Sequence, residues 1–128
     1  MMKRLMSIPF LGLVILMWAC ATTPSHDPTR GDASPLITGP KVDPSAKKHN
    51  AAGIEQYEKG HWLDAKMHFE AAIQAAPSLP EPHYNLALAL DKLGAHAQAR
   101  QHFQMAGQLG PNNMAIIESY VYKSHVEE

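Results

Sequence analysis

The chain repeats its own sequence at an offset of 34 residues, and this repeat constrains the fold more than any other feature. Seven identical pairs share the offset: His49 with His83, Gly60 with Gly94, Ala65 with Ala99, His68 with His102, Phe69 with Phe103, Ala72 with Ala106, and Pro77 with Pro111. Fixed self-similarity of this kind indicates a repeat architecture, in which neighbouring units stack to bury a shared core.

Each copy has the pattern of two helices joined by a tight turn. In "HWLDAKMHFEAAIQAAP" apolar and small residues recur at spacings of three and four, which predicts a helix with one apolar face that Pro77 closes. In the second copy, "PEPHYNLALALDKLG" begins with prolines suited to a first helical turn and ends at Gly94, a residue suited to a left-handed turn. The pattern therefore predicts an all-α fold built from helical hairpins.

A 34-residue helical hairpin with Ala, three residues, Phe and a closing Pro resembles the tetratricopeptide repeat. Both copies carry this second-helix signature, in "AKMHF" and "ARQHF". The resemblance implies one repeat over residues 46–79, a second over 80–113 and an amphipathic capping helix over 114–128. Together these units would form a short α-solenoid.

The amino-terminal segment has the pattern of a secretory signal. Lys3 and Arg4 precede the apolar run "IPFLGLVILMWA", which is shorter than the roughly 20 residues that span a membrane. The segment resembles a bacterial lipoprotein signal peptide over residues 1–19, with "MWAC" at the lipobox, which implies cleavage before Cys20 and attachment of lipid such as palmitate there. An uncleaved anchor, or a secreted protein with one free thiol, are the alternatives.

The resemblance to lipoproteins also implies a location. Ala21 stands where an aspartate would favour inner-membrane retention, so the protein is expected in the bacterial cell envelope, lipid-anchored to the outer membrane and facing the periplasm. Residues 20–45 contain five of the ten prolines and little apolar periodicity, and we predict that they form a disordered, flexible tether.

Composition and motifs exclude several functions. Without Lys3 and Arg4 the chain has nine basic and twelve acidic residues, a net charge of −3, so it has no electrostatic footprint for nucleic acid. Cys20 is the single cysteine, and we find no His-Glu metalloprotease motif and no Gly-rich phosphate loop. We therefore predict a protein that is not an enzyme, with no catalytic residue, no metal site and no cofactor.

The first helices of the repeats are expected to line a concave groove that binds a partner. Steps of three and four, shifted by 34, give the predicted groove residues Asn50, Ile54, Tyr57, Tyr84, Leu88, Asp91 and Tyr122. Their mixture of aromatic, aliphatic and polar groups suits an extended or helical peptide. Asn85 matches an asparagine of the clamp with which some family members hold a carboxylate, but the basic residues of that clamp are missing.

The sequence thus predicts a membrane-anchored adaptor or scaffold for protein–protein interaction. Two repeats fall below the three usually needed for a stable stack, so self-association into a homo-oligomer is also open. The alternative function is a self-associating structural lipoprotein of a pilus, secretion or outer-membrane assembly machine. A histidine-mediated metal binder is a third possibility, since the chain has eight histidines.

Replacing Phe103 with alanine is expected to unfold most of the array. Truncation of a buried phenylalanine costs about 3 to 5 kcal/mol, whereas a whole domain is stable by only about 5 to 15 kcal/mol. Thermal melting followed by circular dichroism measures the effect, and a native-like melting curve for Phe103→Ala would contradict the predicted packing.

Overall fold

The structure, a computed structural model, describes residues 33–127. The predicted signal peptide, the lipid site at Cys20 and the first part of the predicted tether lie outside these residues. Within residues 33–127 the secondary structure is entirely helical, which confirms the predicted all-α class. Six helices follow one another: α1 Pro44–Glu58, α2 Trp62–Ala75, α3 Pro80–Lys92, α4 His96–Leu109, α5 Met114–Ile117 and α6 Tyr120–Val126. None of these six is long and apolar enough to cross a membrane.

The first four helices form two hairpins, α1 with α2 and α3 with α4, and α2 packs on α3. Both hairpins turn at a glycine with φ of 77°, Gly60 in the first and Gly94 in the second. The N–H of Gly60 donates to the carbonyl of Tyr57, and that of His61 donates to the carbonyl of Gln56. The same two bonds recur at the second turn, and in both cases they form the motif that ends helices at a left-handed glycine.

The repeated alanines and phenylalanines form the core. All six are fully buried: Ala65, Phe69 and Ala72 on α2, and Ala99, Phe103 and Ala106 on α4. The alanines let neighbouring helices approach closely, and the phenylalanine rings fill the space between the helices. Tyr84 of α3 packs edge-on against Phe103, with ring centroids 5.6 Å apart. The packing therefore repeats with the same offset as the sequence.

Gly53 marks a close approach between α1 and α2. A Cβ atom placed on Gly53 would lie 2.5 Å from Cε1 of Phe69, whose ring is completely buried. The equivalent residue of the second hairpin is Ala87, which is also fully buried. The first hairpin thus needs glycine where the second accepts alanine.

The carboxyl-terminal cap differs from the single helix predicted over residues 114–128. The structure has two short helices, α5 and α6, separated at Ser119, whose backbone is extended with φ −62° and ψ 130°. The break allows Ile116 to be fully buried and places the Ser119 Oγ atom 2.7 Å from the hydroxyl oxygen of Tyr84. These tertiary contacts outweigh the continuous amphipathic pattern of the segment.

The entry into α1 also differs from the predicted tether boundary at residue 45. Helix α1 begins at Pro44, because the Asp43 carboxylate accepts hydrogen bonds from the N–H groups of Ser45 and Ala46, at 2.9 and 3.1 Å. Asp43 is thus the N-cap, and a proline is well tolerated in the first turn that follows. Ahead of the cap, Leu36 and Ala33 pack against the core instead of extending away from it.

Replacing Gly53 with alanine is expected to destabilise the chain by about 1 to 2 kcal/mol. Overpacking a core typically costs about 1 to 3 kcal/mol, and the better helix propensity of alanine returns up to about 1 kcal/mol. Urea unfolding measures the difference. The control is Gly39→Ala, since nothing lies within 4 Å of a Cβ atom at Gly39. A Gly53→Ala variant as stable as the wild type would show that the Phe69 ring has room to move.

Candidate functional site

Two buried asparagines lie at the centre of the candidate site. Asn50 of α1 is 1% exposed and Asn85 of α3 is 0% exposed. The Nδ2 atom of Asn85 donates to Oδ1 of Asn50 at 2.8 Å, so the two side chains lie next to each other across α1 and α3. We call this pair the amide pair.

The amide pair holds the backbone of Leu36. The N–H of Leu36 donates to Oδ1 of Asn85 at 2.6 Å, and its carbonyl accepts from Nδ2 of Asn85 at 2.8 Å and from Nδ2 of Asn50 at 2.9 Å. Both polar groups of one backbone residue are therefore bound by side-chain amides. Because backbone N–H can only donate and C=O can only accept, these bonds also fix which end of the Asn85 amide is oxygen.

Residues 33–38, which we call the internal segment, thus lie along α1 and α3 in a groove centred on the amide pair. Leu36 packs against the core and Thr38 is buried. Among residues 33–127, every buried side-chain nitrogen or oxygen has a hydrogen-bond partner. A buried amide without a partner costs about 1 to 3 kcal/mol, so the amide pair requires something in the position of the Leu36 backbone.

A cleft of about 680 Å³ continues the groove beside residues Ala33 to Pro35. Tyr57, Trp62, Leu88 and Val121 contribute apolar surface to it, and Asp91 and Lys92 contribute charge. The rings of Tyr57 and Trp62 contact each other edge-on with centroids 4.8 Å apart, and the Lys92 ammonium lies 5.9 Å from the Trp62 ring centroid. The cleft can therefore accommodate an apolar or aromatic side chain close to both signs of charge.

Four of the seven predicted groove residues come together here. Asn50 belongs to the amide pair, and Tyr57, Leu88 and Asp91 line the cleft. Ile54 is half-buried against the hydrophobic core.

The other two predicted residues contact the core and the cap. Tyr84 is 2% exposed and bonds to Ser119. Tyr122 lies against α4, where Gly107 leaves space for its hydroxyl group. Val121, not Tyr122, is the residue of α6 that lines the cleft.

Sequence reasoning missed two parts of the site, the role of Asn85 and the internal segment. Asn85 is one position past the residue that the 34-residue offset aligns with Asn50, so the repeat pattern pointed to Tyr84 instead. The internal segment lies in a proline-rich stretch, and its signal is the short apolar pair Leu36–Ile37 between prolines.

A second polar contact joins His83 of α3 to His102 of α4. Their Nδ1 atoms are 3.2 Å apart and their rings are stacked. Nε2 of His83 must carry hydrogen, since it lies 3.0 Å from the carbonyl oxygen of Pro77, so its Nδ1 accepts the proton of His102. Burial lowers the pKa of His83, and burial together with the nearby His83 lowers the pKa of His102. The pair is therefore most stable when both rings are neutral.

We compared the chain with protein-family models, with curated proteins and with solved structures, and nothing matched. The amide pair, the internal segment that it holds and the adjoining cleft are thus the observations from which a function can be inferred. They describe a surface that hydrogen-bonds both backbone polar groups of one residue.

The stability of the fold is expected to decrease as the pH falls below about 6.5. The unfolded chain takes up protons near the ordinary histidine pKa of about 6.5, whereas His83 and His102 resist protonation in the folded state. Their contribution is complete above that pH and is lost progressively on acidification. Urea unfolding at pH 7.5 and 5.5 should show a smaller loss for His102→Gln than for the wild type, and an unchanged loss for the exposed control His61→Gln. An equal acid sensitivity of His102→Gln and wild type would contradict this assignment.

Proposed function

We propose that the chain is a lipid-anchored adaptor of the bacterial cell envelope, whose groove binds an extended segment of a partner protein. The observation that carries the proposal is the binding of both backbone polar groups of Leu36 by the buried amide pair. The resemblance of the two hairpins to tetratricopeptide repeats and of the amino terminus to a lipoprotein signal supports it. The adaptor has no catalytic role and no nucleic-acid partner in this proposal.

The amide pair is suited to an extended peptide of varied sequence. In an extended strand the N–H and C=O of one residue point to the same side, and the amide of Asn85 offers an acceptor and a donor to match them. Asn50 adds a second donor to the same carbonyl. Main-chain hydrogen bonds of this kind supply affinity, whereas pockets for side chains supply specificity.

Specificity would come from the cleft beside the amide pair. An apolar or aromatic side chain of the partner would contact Tyr57, Trp62 and Leu88, and a neighbouring charge would meet Asp91 or Lys92. We therefore infer a partner segment that is extended, carries at least one apolar side chain and is not strongly charged.

The internal segment occupies the position that this partner would take. A partner must break the three hydrogen bonds to Leu36 before it can form its own. The measured affinity is then the intrinsic affinity multiplied by the fraction of molecules in which the groove is open. The internal segment thus acts as an intramolecular competitor that sets a threshold for partner binding.

The anchor and the groove together give the mechanism. Lipid on Cys20 would hold the protein at the membrane, where two or more acyl chains make attachment durable. The outer membrane, on its periplasmic side, is the location that the lipoprotein signal implies. Recruitment to that surface, without chemistry, is the activity proposed.

Self-association is a second candidate function, and exposed apolar residues on α2 favour it. Leu63 and Met67 lie four residues apart on one helix face and are 61% and 60% exposed. A second copy could cover this face while the internal segment remains in its own groove. This arrangement fits a structural lipoprotein of an envelope assembly.

Two substitutions in the groove are expected to change partner binding in opposite directions. In the Leu36→Pro background, where the internal competitor is already weakened, Asn85→Leu removes the bonds to a bound partner backbone and should lower the yield of a crosslinked partner about tenfold, since two hydrogen bonds are worth about 1 to 3 kcal/mol. Leu36→Pro removes the N–H of the internal competitor, keeps an apolar side chain and should raise the yield. Crosslinking in native membranes, followed by mass spectrometry of the copurified proteins, measures both.

The control is Asn112→Leu, because Asn112 is exposed and lies outside the groove. Circular dichroism and melting confirm that each variant is folded. A partner whose yield changes in the same direction for Asn85→Leu and Leu36→Pro would contradict binding in the groove. Recovery of this chain alone, unchanged by either variant, would favour self-association.

A further inference from the structure

Three potential metal ligands converge from separate elements at one end of the second hairpin. Oδ1 of Asp91 on α3 lies 2.9 Å from Nδ1 of His96, the first residue of α4, and 3.0 Å from Nε2 of His125 on α6. All three donor atoms lie within 4.8 Å of one another. No other group of three such ligands occurs within residues 33–127.

The orientation of His125 is fixed by a contact outside the cluster. Its Nδ1 atom lies 2.9 Å from the carbonyl oxygen of Val121, which can only accept, so Nδ1 carries hydrogen. In the neutral ring Nε2 then directs a lone pair at the Asp91 carboxylate, and two acceptors face each other across 3.0 Å. A proton on Nε2, or a metal cation bound by both atoms, removes this conflict. Histidines that bind metals commonly donate their other N–H to a backbone carbonyl, as His125 does.

The donor set and spacing fit zinc. Two imidazole nitrogens and one carboxylate oxygen are ligands that Zn²⁺ prefers in proteins. With bonds of about 2.0 to 2.1 Å, tetrahedral ligand atoms lie about 3.3 Å apart, close to the two distances from Asp91. The His96 side chain is 69% exposed, so it can adjust its position and water can reach a fourth coordination position.

Comparison of the two hairpins shows that the cluster departs from the repeat. The residues 34 positions before Asp91 and His96 are Tyr57 and Trp62, whose rings pack edge-on. The first hairpin thus stabilises this end with an aromatic contact. The second carries ligand-type side chains at the same two positions, and α6 adds the third.

We propose that Asp91, His96 and His125 bind one Zn²⁺ ion that fastens α6 to the turn between α3 and α4. Helix α6 has seven residues, which is too short for a helix to be stable without tertiary contacts. A metal bound by α3, α4 and α6 stabilises only the folded arrangement, because His125 is 29 residues away from His96 in the sequence and meets the other two ligands only in the fold. The site shares no residue with the amide pair, but Asp91 and His96 also line the adjoining cleft.

The test is titration of the metal-free 128-residue chain in detergent with Zn²⁺. Calorimetry should show one ion bound per chain, and the melting temperature should rise by at least about 4 °C at saturating metal. Asp91→Asn and His96→Ala should abolish both effects. Neither removes core packing, since Asn keeps the shape of Asp and His96 is exposed.

The matched control is His61→Ala. His61 is an exposed histidine at the turn of the first hairpin, with Nδ1 3.0 Å from Oε1 of Gln56, and it lies outside the cluster. This variant should bind and respond to Zn²⁺ as the wild type does. A wild-type melting temperature that does not respond to Zn²⁺ would overturn the proposal. So would a response that persists in Asp91→Asn and His96→Ala, because the ion would then be bound elsewhere.

Discussion

The burial of one phenylalanine ring per hairpin is the interaction on which the rest of the structure depends. Phe103 contacts the rings of Tyr84 on α3 and of Tyr122 and His125 on α6, with centroids 5.6, 6.3 and 5.0 Å away. Tyr84 precedes Asn85, so the ring that fixes Tyr84 also fixes the register of α3 that presents the amide pair. The same ring supports His125 beside Asp91. One core side chain therefore supports both the helix that presents the amide pair and one of the proposed zinc ligands.

Local pattern was sufficient to predict the hairpins. The two glycine turns, the buried alanines and phenylalanines and the bounds of α2 and α4 all recur at the 34-residue offset, because each depends on contacts within one repeat or between adjacent helices. The cap was less predictable. The break at Ser119 depends on its contact with Tyr84, 35 residues earlier, and on burial of Ile116, and the amphipathic pattern of residues 114–128 contains neither constraint.

The groove was only partly predictable because α3 is covered on more than one face. Every residue from Pro82 to Leu90 is buried, and a helix that is buried all round does not reveal which side binds a partner. Spacing from Asn50 selected Tyr84, which faces the core, and passed over its neighbour Asn85. On the groove side, α3 is buried by residues 33–38, whose composition predicts a flexible tether. Only a three-dimensional contact, the pairing of Leu36 with two amides, distinguishes these residues from the rest of the proline-rich stretch.

In the proposed adaptor, the occupant of the groove would also affect the distance between the folded domain and the membrane. While Leu36 is held, the stretch from residue 33 to Asp43 is attached to the helices at two points, the bonds to Leu36 and the Asp43 cap of α1. A partner that displaced the internal segment, as proposed, would release these eleven residues, which can extend by at most about 36 to 40 Å. For a protein anchored through Cys20, partner binding would then lengthen the flexible link to the membrane. The domain with a bound partner could lie farther from the membrane than the domain whose groove holds the internal segment. Such an adaptor would increase its maximum distance from the membrane each time a partner segment replaced the internal segment in the groove.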